Sequence, residues 1–314
     1  MGRPLSESSA THPPLVVWVV SDGKPGHLNQ SIGLAEALAR ATPTSIHVFD
    51  SLPAWRAWLA GMLNRAPGRE LPKPDLIVGA GHATHASVLA ARRARGGRTV
   101  VLMKPSLPRR WFDLCILPEH DGVVADANTL ISRGALNRIR PATARDATRG
   151  LLLIGGTSPH FEWNSDAIQV QIRSILAHSP DTHWTLTTSR RTPEEFLAQL
   201  TPHPRLTVVP HTATTPGWLP EQFARCGTVW VTPDSASMVF EALTAGADVG
   251  VFDLPVNSRS RVGGAIAHLA DAQRVTRFSN WCAHGKLHPN LHPLAEADRC
   301  AGWILAWLKK KTNG

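Results

Sequence analysis

Tyrosine is absent from the 314 residues, and acidic side chains are in the minority, with 24 Asp and Glu against 33 Lys and Arg. No apolar run reaches the roughly 18 residues that a membrane-spanning helix needs, so a helical span is excluded. The four cysteines, Cys115, Cys226, Cys282 and Cys300, stand far apart with no CxxC pair. That spacing argues against a disulfide framework or a zinc ribbon and suits a reduced compartment. The opening residues are polar and hold no apolar signal core. Met1-Gly-Arg-Pro-Leu-Ser6 fits the loose myristoylation pattern, a pattern short enough to arise by chance. The expectation is a cytoplasmic chain that can touch the inner face of a membrane from its periphery.

What is present is a cationic, apolar-rich chain. The formal net charge is +9 and 43% of the residues are hydrophobic. Such a balance favours nucleotides, phosphorylated sugars or acidic lipid surfaces as partners. Nucleic acid is set aside, because the Arg92–Arg98 run has no interleaved aromatics and no recognisable reader fold around it.

Apolar runs alternate with helical patterns almost throughout, the sign of parallel sheets joined by crossover helices. The first series of strands reads Leu15–Val20, Ser45–Phe49, Asp75–Gly79, Thr99–Met103 and Asp113–Leu117. Residues 119–149 are less regular. A second series follows at Gly150–Ile154, Trp184–Thr188, Leu206–Val209, Thr228–Thr232 and Val249–Asp253. The expected fold class is α/β, with two Rossmann-like doubly wound domains facing a cleft, divided near residue 145 into 1–145 and 146–314. The closing helix, about 294–311, is expected to cross back to the first domain.

Six loops carry chemistry. Ser21-Asp-Gly-Lys-Pro-Gly-His-Leu-Asn-Gln30 follows the first strand. Gly23 and Gly26 allow a sharp turn, Asn29 and Ser31 can cap the next helix, and His27 or Asp22 can act as a general base. Gly79-Ala-Gly81-His-Ala-Thr-His85 repeats the design but lacks the third glycine of a dinucleotide fingerprint. Its His82 and His85 are too few to argue for a metal. Glu119-His-Asp121 offers one or two acid–base groups, with Asp121 the candidate. In the second series, Ile154-Gly-Gly-Thr157 allows a phosphate close to Gly155 and Gly156. Thr187-Thr-Ser189-Arg190-Arg191 can clamp a pyrophosphate through one of its two arginines. The sixth loop, Val231-Thr-Pro-Asp-Ser-Ala-Ser-Met-Val-Phe-Glu241, turns from a strand into a helix whose positive end receives phosphate. Glu241, further into that helix, can reach a ribose hydroxyl. His284, His288 and His292 recur every four residues, but Gly285, Pro289 and Pro293 break the helix that would make them a metal face. Trp55, Trp58, Leu59, Met62 and Leu63 share a helical face near Arg56 and Arg65. Core packing is the expectation for it, and a membrane interface the alternative.

Taken together, SDGKPGHLNQSIGLAEAL (21–38), FDLCILPEHD (112–121), LIGG (153–156), TTSRRTP (187–193) and VTPDSASMVFEA (231–242) resemble the mitochondrial-fission (elongated-mitochondria) protein family of plants and its bacterial relatives. That family looks like glycosyltransferases of the two-Rossmann-domain (GT-B) type. The resemblance implies a donor site built from Gly155, Gly156, Arg190, Asp234, Ser235, Ser237 and Glu241, beside which Thr157, Ser189 and Met238 lie in the same loops. Gly23, Gly26, Asn29, Gly81 and His82 fall on the acceptor side. There Lys104-Pro-Ser106 and Gly81-His-Ala-Thr84 depart from the family pattern.

The expected activity is metal-independent, inverting transfer of a sugar from a nucleotide diphosphate to an envelope or lipid-linked acceptor. The nucleotide-sugar is a substrate, and no cofactor or metal is expected. A nucleotide-sugar epimerase on the same frame, or a non-catalytic scaffold at a membrane, are the rival readings.

Overall fold

A computed structural model describes residues 13–63, 65, 68, 70–142, 144–257 and 260–312. The Met1–Ser6 pattern lies outside them. The first half runs β1 (Leu15–Ser21), α1 (Pro25–Ala41), β2 (Thr44–Asp50), α2 (Ala54–Met62), β3 (Leu76–Ala80), α3 (His85–Arg95), β4 (Arg98–Leu102), β5 (Leu114–Pro118) and β6 (Thr129–Ser132). Then come β7 (Asp146–Leu153), α4 (Ser165–His178), β8 (His183–Thr187), α5 (Glu194–Ala198), β9 (Leu206–Val209), α6 (Trp218–Arg225) and β10 (Cys226–Val231). The chain finishes with α7 (Ala236–Ala245), β11 (Asp248–Val251), α8 (Arg261–Asp271), β12 (Thr276–Arg277), α9 (Phe278–His284) and α10 (Glu296–Thr312).

Two six-stranded sheets result, ordered β2-β1-β3-β4-β5-β6 and β12-β11-β10-β7-β8-β9. In each, the strand order reverses once: beside β1, where β3 follows β2 on the opposite side, and beside β7, where β10 follows β9. Such reversals separate the loops leaving two neighbouring strands and open a crevice at their carboxyl ends. The α/β class with two doubly wound sheets is as the sequence implied. The compact units are Met1–Ile116 with Ala301–Gly314, and Leu117–Cys300. The sheets change over at β7, near residue 145, whereas the compact units part after Ile116.

The central strands are apolar on both faces because helices cover both faces, whereas the edge strands β2 and β9 have no fully buried residue. In the second unit, Leu151, Leu153, Val229, Val231, Val249 and Val251 belong to one buried cluster with Phe240 and Leu243 of α7. The intervening Leu152, Ile154, Trp230 and Phe252 belong to the other, with Ile168 and Ile172 of α4 and Trp281 of α9. Two of the eleven tryptophans are accommodated here by glycine. Trp184 pairs with Gly150 across β8 and β7, and Trp230 with Gly250 across β10 and β11. A Cβ on Gly150 would come within 2.3 Å of the Trp184 ring, and one on Gly250 within 2.4 Å of the Trp230 ring. Each glycine therefore makes room for an indole on the next strand.

Two local expectations need correcting. Helix α1 starts at Pro25, not near Asn29, because proline fits the first turn of a helix; Asn29 and Ser31 therefore lie inside it, and Lys24 is the capping position. Helix α2 does not bury its large residues. Ala57 and Gly61 face inward, and a Cβ on Gly61 would stand 3.3 Å from the Ala90 backbone on α3. The small pair lets the two helices approach closely, which leaves Trp55, Trp58, Leu59, Met62 and Leu63 exposed.

His85, at the start of α3, is also core. It is buried against Phe112, with ring centroids 5.3 Å apart, and Nδ1 lies 3.3 Å from Ser106 Oγ. Burial, then the charge of His82, pushes its pKa from 6.5 down to about 4.

Two outcomes follow. Gly250→Ala should destabilise the protein by about 1–3 kcal/mol in urea unfolding, since the Trp230 ring must move; a loss below about 0.5 kcal/mol would discard the packing account. The unfolded chain takes up a proton on His85 near pH 6.5 and the folded one only near pH 4. Stability should therefore fall by up to about 3 kcal/mol as pH drops through that window, and His85→Gln should flatten the slope. An unchanged slope in the variant would rule His85 out as its source.

Candidate functional site

The carboxyl ends of β7 and β10, at the reversal of the second sheet, meet in a web of hydrogen bonds. The Gly155 N–H donates to Thr232 Oγ1 at 2.7 Å, and the Thr232 N–H to the Leu153 carbonyl at 3.1 Å. The Gly156 N–H donates to Asp234 Oδ2 at 3.0 Å, and Arg191 Nη2 reaches the same oxygen at 2.7 Å. The Asp234 side chain has no exposed surface. Its Oδ1 has no partner among the described residues. Arg191 also donates through Nη1 to the Thr157 carbonyl at 3.0 Å. The Thr157 N–H donates back to the Arg191 carbonyl at 3.2 Å.

The two glycines are needed for a reason other than the expected one. A Cβ on Gly155 would fall 2.2 Å from Asp234 Oδ2, and one on Gly156 only 2.0 Å from the Arg191 carbonyl oxygen. The protein's own groups fill that space, and both glycine N–H groups already have partners. Ser189 is committed in the same way. Its hydroxyl donates to the Gly155 carbonyl at 2.7 Å and accepts from the Arg191 N–H at 3.1 Å, while Thr192 Oγ1 accepts from the Ser189 N–H at 2.8 Å.

The unsatisfied donors lie one turn further on. Helix α7 begins at Ala236 with Ser235 as its capping residue, and no side chain caps it. Its backbone bonding starts with Val239 to the Ser235 carbonyl, so the N–H groups of Ala236, Ser237 and Met238 have no acceptor within the helix. Ser235 Oγ and Ser237 Oγ lie 3.5 Å apart at this positive end. Ser237 is exposed, whereas Met238 is half-buried and packs on the core cluster. Glu241 sits one turn beyond Ser237 on the same face, half-buried. The arrangement is a polar helix end with a guanidinium fixed beside it. Both arginines are exposed, but Arg191 is fixed by Asp234, whereas Arg190 makes no ion pair among the described residues.

The reversal of the first sheet carries a second constellation. After β1, the Gly23 N–H donates to Ser21 Oγ at 3.0 Å and the Lys24 N–H to Asp22 Oδ1 at 3.1 Å, closing the turn before α1. Asp22 Oδ2 meets His27 Nδ1 at 2.8 Å, with the aspartate side chain 2% and the histidine 21% exposed. Gly81, after β3, has φ +83°, and a Cβ on it would strike His27 Nδ1 at 2.3 Å. So Asp22, His27 and Gly81 come together, and the loop glycine is what admits the imidazole. Burial raises the Asp22 pKa, but the His27 hydrogen bond, the Lys24 N–H and both neighbouring charges outweigh it and hold the carboxyl below its ordinary value. An ionised Asp22 must accept, so His27 Nδ1 donates, and in the neutral imidazole Nε2 is the acceptor.

The remaining candidates stand apart from these clusters. Gly26 has open space around it, and His82 is exposed. Asp121 lies half-buried in the 3-10 turn after β5, where it makes no hydrogen bond to described residues; Glu119 in that turn is 3.7 Å from His268. No group of three metal-ligating side chains occurs among the described residues. Sequence reasoning passed over Thr232 and Thr192, and offered Arg191 only as one of two equivalent arginines. Thr232 did carry a signal, as a hydroxyl closing an otherwise apolar strand.

Known proteins share this architecture. The MurG structure from Acinetobacter baumannii superposes with a TM-score of 0.55 at 13% identity, over 95% of this chain and 100% of its own. MnaA of S. aureus with UDP gives 0.59 at 12%, over 95% and 97%. The UDP-GlcNAc 2-epimerase of Neisseria meningitidis bound to UDP-GlcNAc gives 0.54 at 11%, over 95% and 100%. The fold is thus GT-B-like. In sequence, an uncharacterized protein of Rickettsia prowazekii (strain Madrid E) is 24% identical over 93% of this chain and 98% of its own length. Residues 25–308 match the family described as Mitochondrial fission ELM1, and this chain belongs to that family.

Proposed function

We propose that the protein is a glycosyltransferase that takes a sugar from a nucleoside diphosphate and places it on an acceptor hydroxyl, with inversion and without a metal ion. The observation that carries this reading is the uncapped N-terminus of α7 beside the locked Arg191. A departing nucleoside diphosphate develops negative charge, which a helix N-terminus and a guanidinium stabilise as a metal ion does elsewhere. Glu241 would take the ribose hydroxyls from one turn further in. On the acceptor side, His27 Nε2 would receive the hydroxyl proton while Asp22 holds the tautomer and stabilises the imidazolium. One base and one displacement suffice for inversion: the acceptor oxygen bonds to the anomeric carbon as the phosphate oxygen leaves. The cationic chain suits an envelope or lipid-linked acceptor.

An epimerase is the second reading, supported by the UDP-bound and epimerase structures of the same fold. It would convert a nucleotide-sugar with no acceptor present, which separates it from transfer.

Thermal-shift measurements against UDP, GDP and their sugar conjugates test the donor site. Stabilisation by one nucleotide is expected. Arg191→Ala should weaken its binding about tenfold or more, the worth of a charged hydrogen bond, and Arg190→Ala less than about threefold. Silence across the panel would favour the scaffold reading instead. Asp22→Asn and His27→Ala should each lower release of nucleoside diphosphate, with an envelope lipid extract as acceptor, by roughly 10²–10⁴-fold while leaving donor binding intact. Unchanged turnover in either variant would remove the pair from the reaction, and abolition of turnover by EDTA would overturn metal independence.

A further inference from the structure

We infer that the first unit docks on an anionic membrane surface through the outward face of α2 and the neighbouring Trp111. This goes beyond the donor site and stands without it. Trp55 and Met62 are 64% and 74% exposed, and Trp58, Leu59, Leu63 and Trp111 are exposed beside them. The inward face of α2 is made by Ala57 and Gly61, so the large side chains are outside by construction and not through loose packing.

The patch is preformed. Trp58 and Trp111 meet edge-on with centroids 6.3 Å apart, joining α2 to the turn that precedes β5. Arg92 donates to the Trp111 carbonyl at 3.2 Å and pairs with Asp113 at 3.2 Å, which fixes that turn. The Arg56 guanidinium lies over the Trp55 ring, 5.0 Å from its centroid.

Charge chooses the occupant. Residues 54–111 hold eleven Lys and Arg against two Asp and Glu, which leaves 22 of each in the rest of the chain. The entire +9 excess therefore resides in the segment that presents the apolar face. A second copy of this surface would meet it with like charge. A nucleic acid would answer the arginines but not Leu59, Met62 and Leu63. An anionic bilayer answers both: indoles settle at the headgroup level, aliphatic side chains enter the acyl boundary, and lipid phosphates meet the arginines. No helix among the described residues is long and apolar enough to cross a membrane, so the contact is in the plane of the surface.

Sedimentation of the full chain with lipid vesicles tests this. It should partition onto phosphatidylcholine vesicles carrying roughly 30% phosphatidylglycerol at least about tenfold more strongly than onto phosphatidylcholine alone, and salt should weaken the binding. The double variant Trp55→Ser with Met62→Ser, and separately Arg56→Glu with Arg110→Glu, should each reduce partitioning about tenfold with an unchanged melting temperature, because all four side chains are exposed. The inference is overturned if the wild-type protein remains in solution with both lipids, or if the variants sediment as it does. It is equally overturned if the serine variant turns a dimer into a monomer in light scattering while vesicle binding is untouched.

Discussion

A carboxylate with no exposed surface organises the end of the second sheet. Asp234 accepts from the Gly156 N–H and from Arg191 through one oxygen, and so ties the loops after β7, β8 and β10 to one another. A buried charge is tolerated only where such partners meet it, and removing one partner leaves the other stranded. The position of Arg191, and the departure of the chain from Asp234 into α7 with its N-terminus uncapped, both depend on this contact. The guanidinium is thereby held beside the helix end, which is what the proposed transfer would require for charge stabilisation.

The first sheet solves a similar problem with different chemistry. Its reversal holds an aspartate–histidine pair, admitted by a glycine whose positive φ turns the β3 loop aside. In the proposed reaction one reversal would offer donors to an anion and the other a proton acceptor. A GT-B-like frame serves transfer and epimerisation alike. Fold alone does not choose between them; the side chains at the two strand ends bear on that choice.

Absent side chains do much of the structural work. Gly150 and Gly250 give way to indoles, Gly155 and Gly156 to Asp234 and to the Arg191 backbone, and Gly61 to α3. In α2 the same economy of bulk inverts the usual arrangement: small residues lie inside, and tryptophan and methionine outside. An apolar stripe at helical spacing shows that a helix has two unlike faces. Which of them meets the core depends on how closely its neighbour can approach.

The strands were legible because a sheet covered on both faces needs unbroken apolar runs, and the ten main strands read from those runs are all present. Only β6 and β12, four and two residues long, were too short to declare themselves. The Asp22–His27 candidates and the loop that starts α7 were legible too, since glycine turns and strand-to-helix junctions are local. The choice between Arg190 and Arg191 was not. Adjacent arginines in a turn are equivalent in composition, and the one that is held is decided by Asp234, more than forty positions away in the chain. Sequence fixed the kinds of groups at each strand end, because backbone preference and burial act over a few residues. Tertiary structure decided which of them meet, because hydrogen bonds and close packing join segments whose separation along the chain carries no record of the contact.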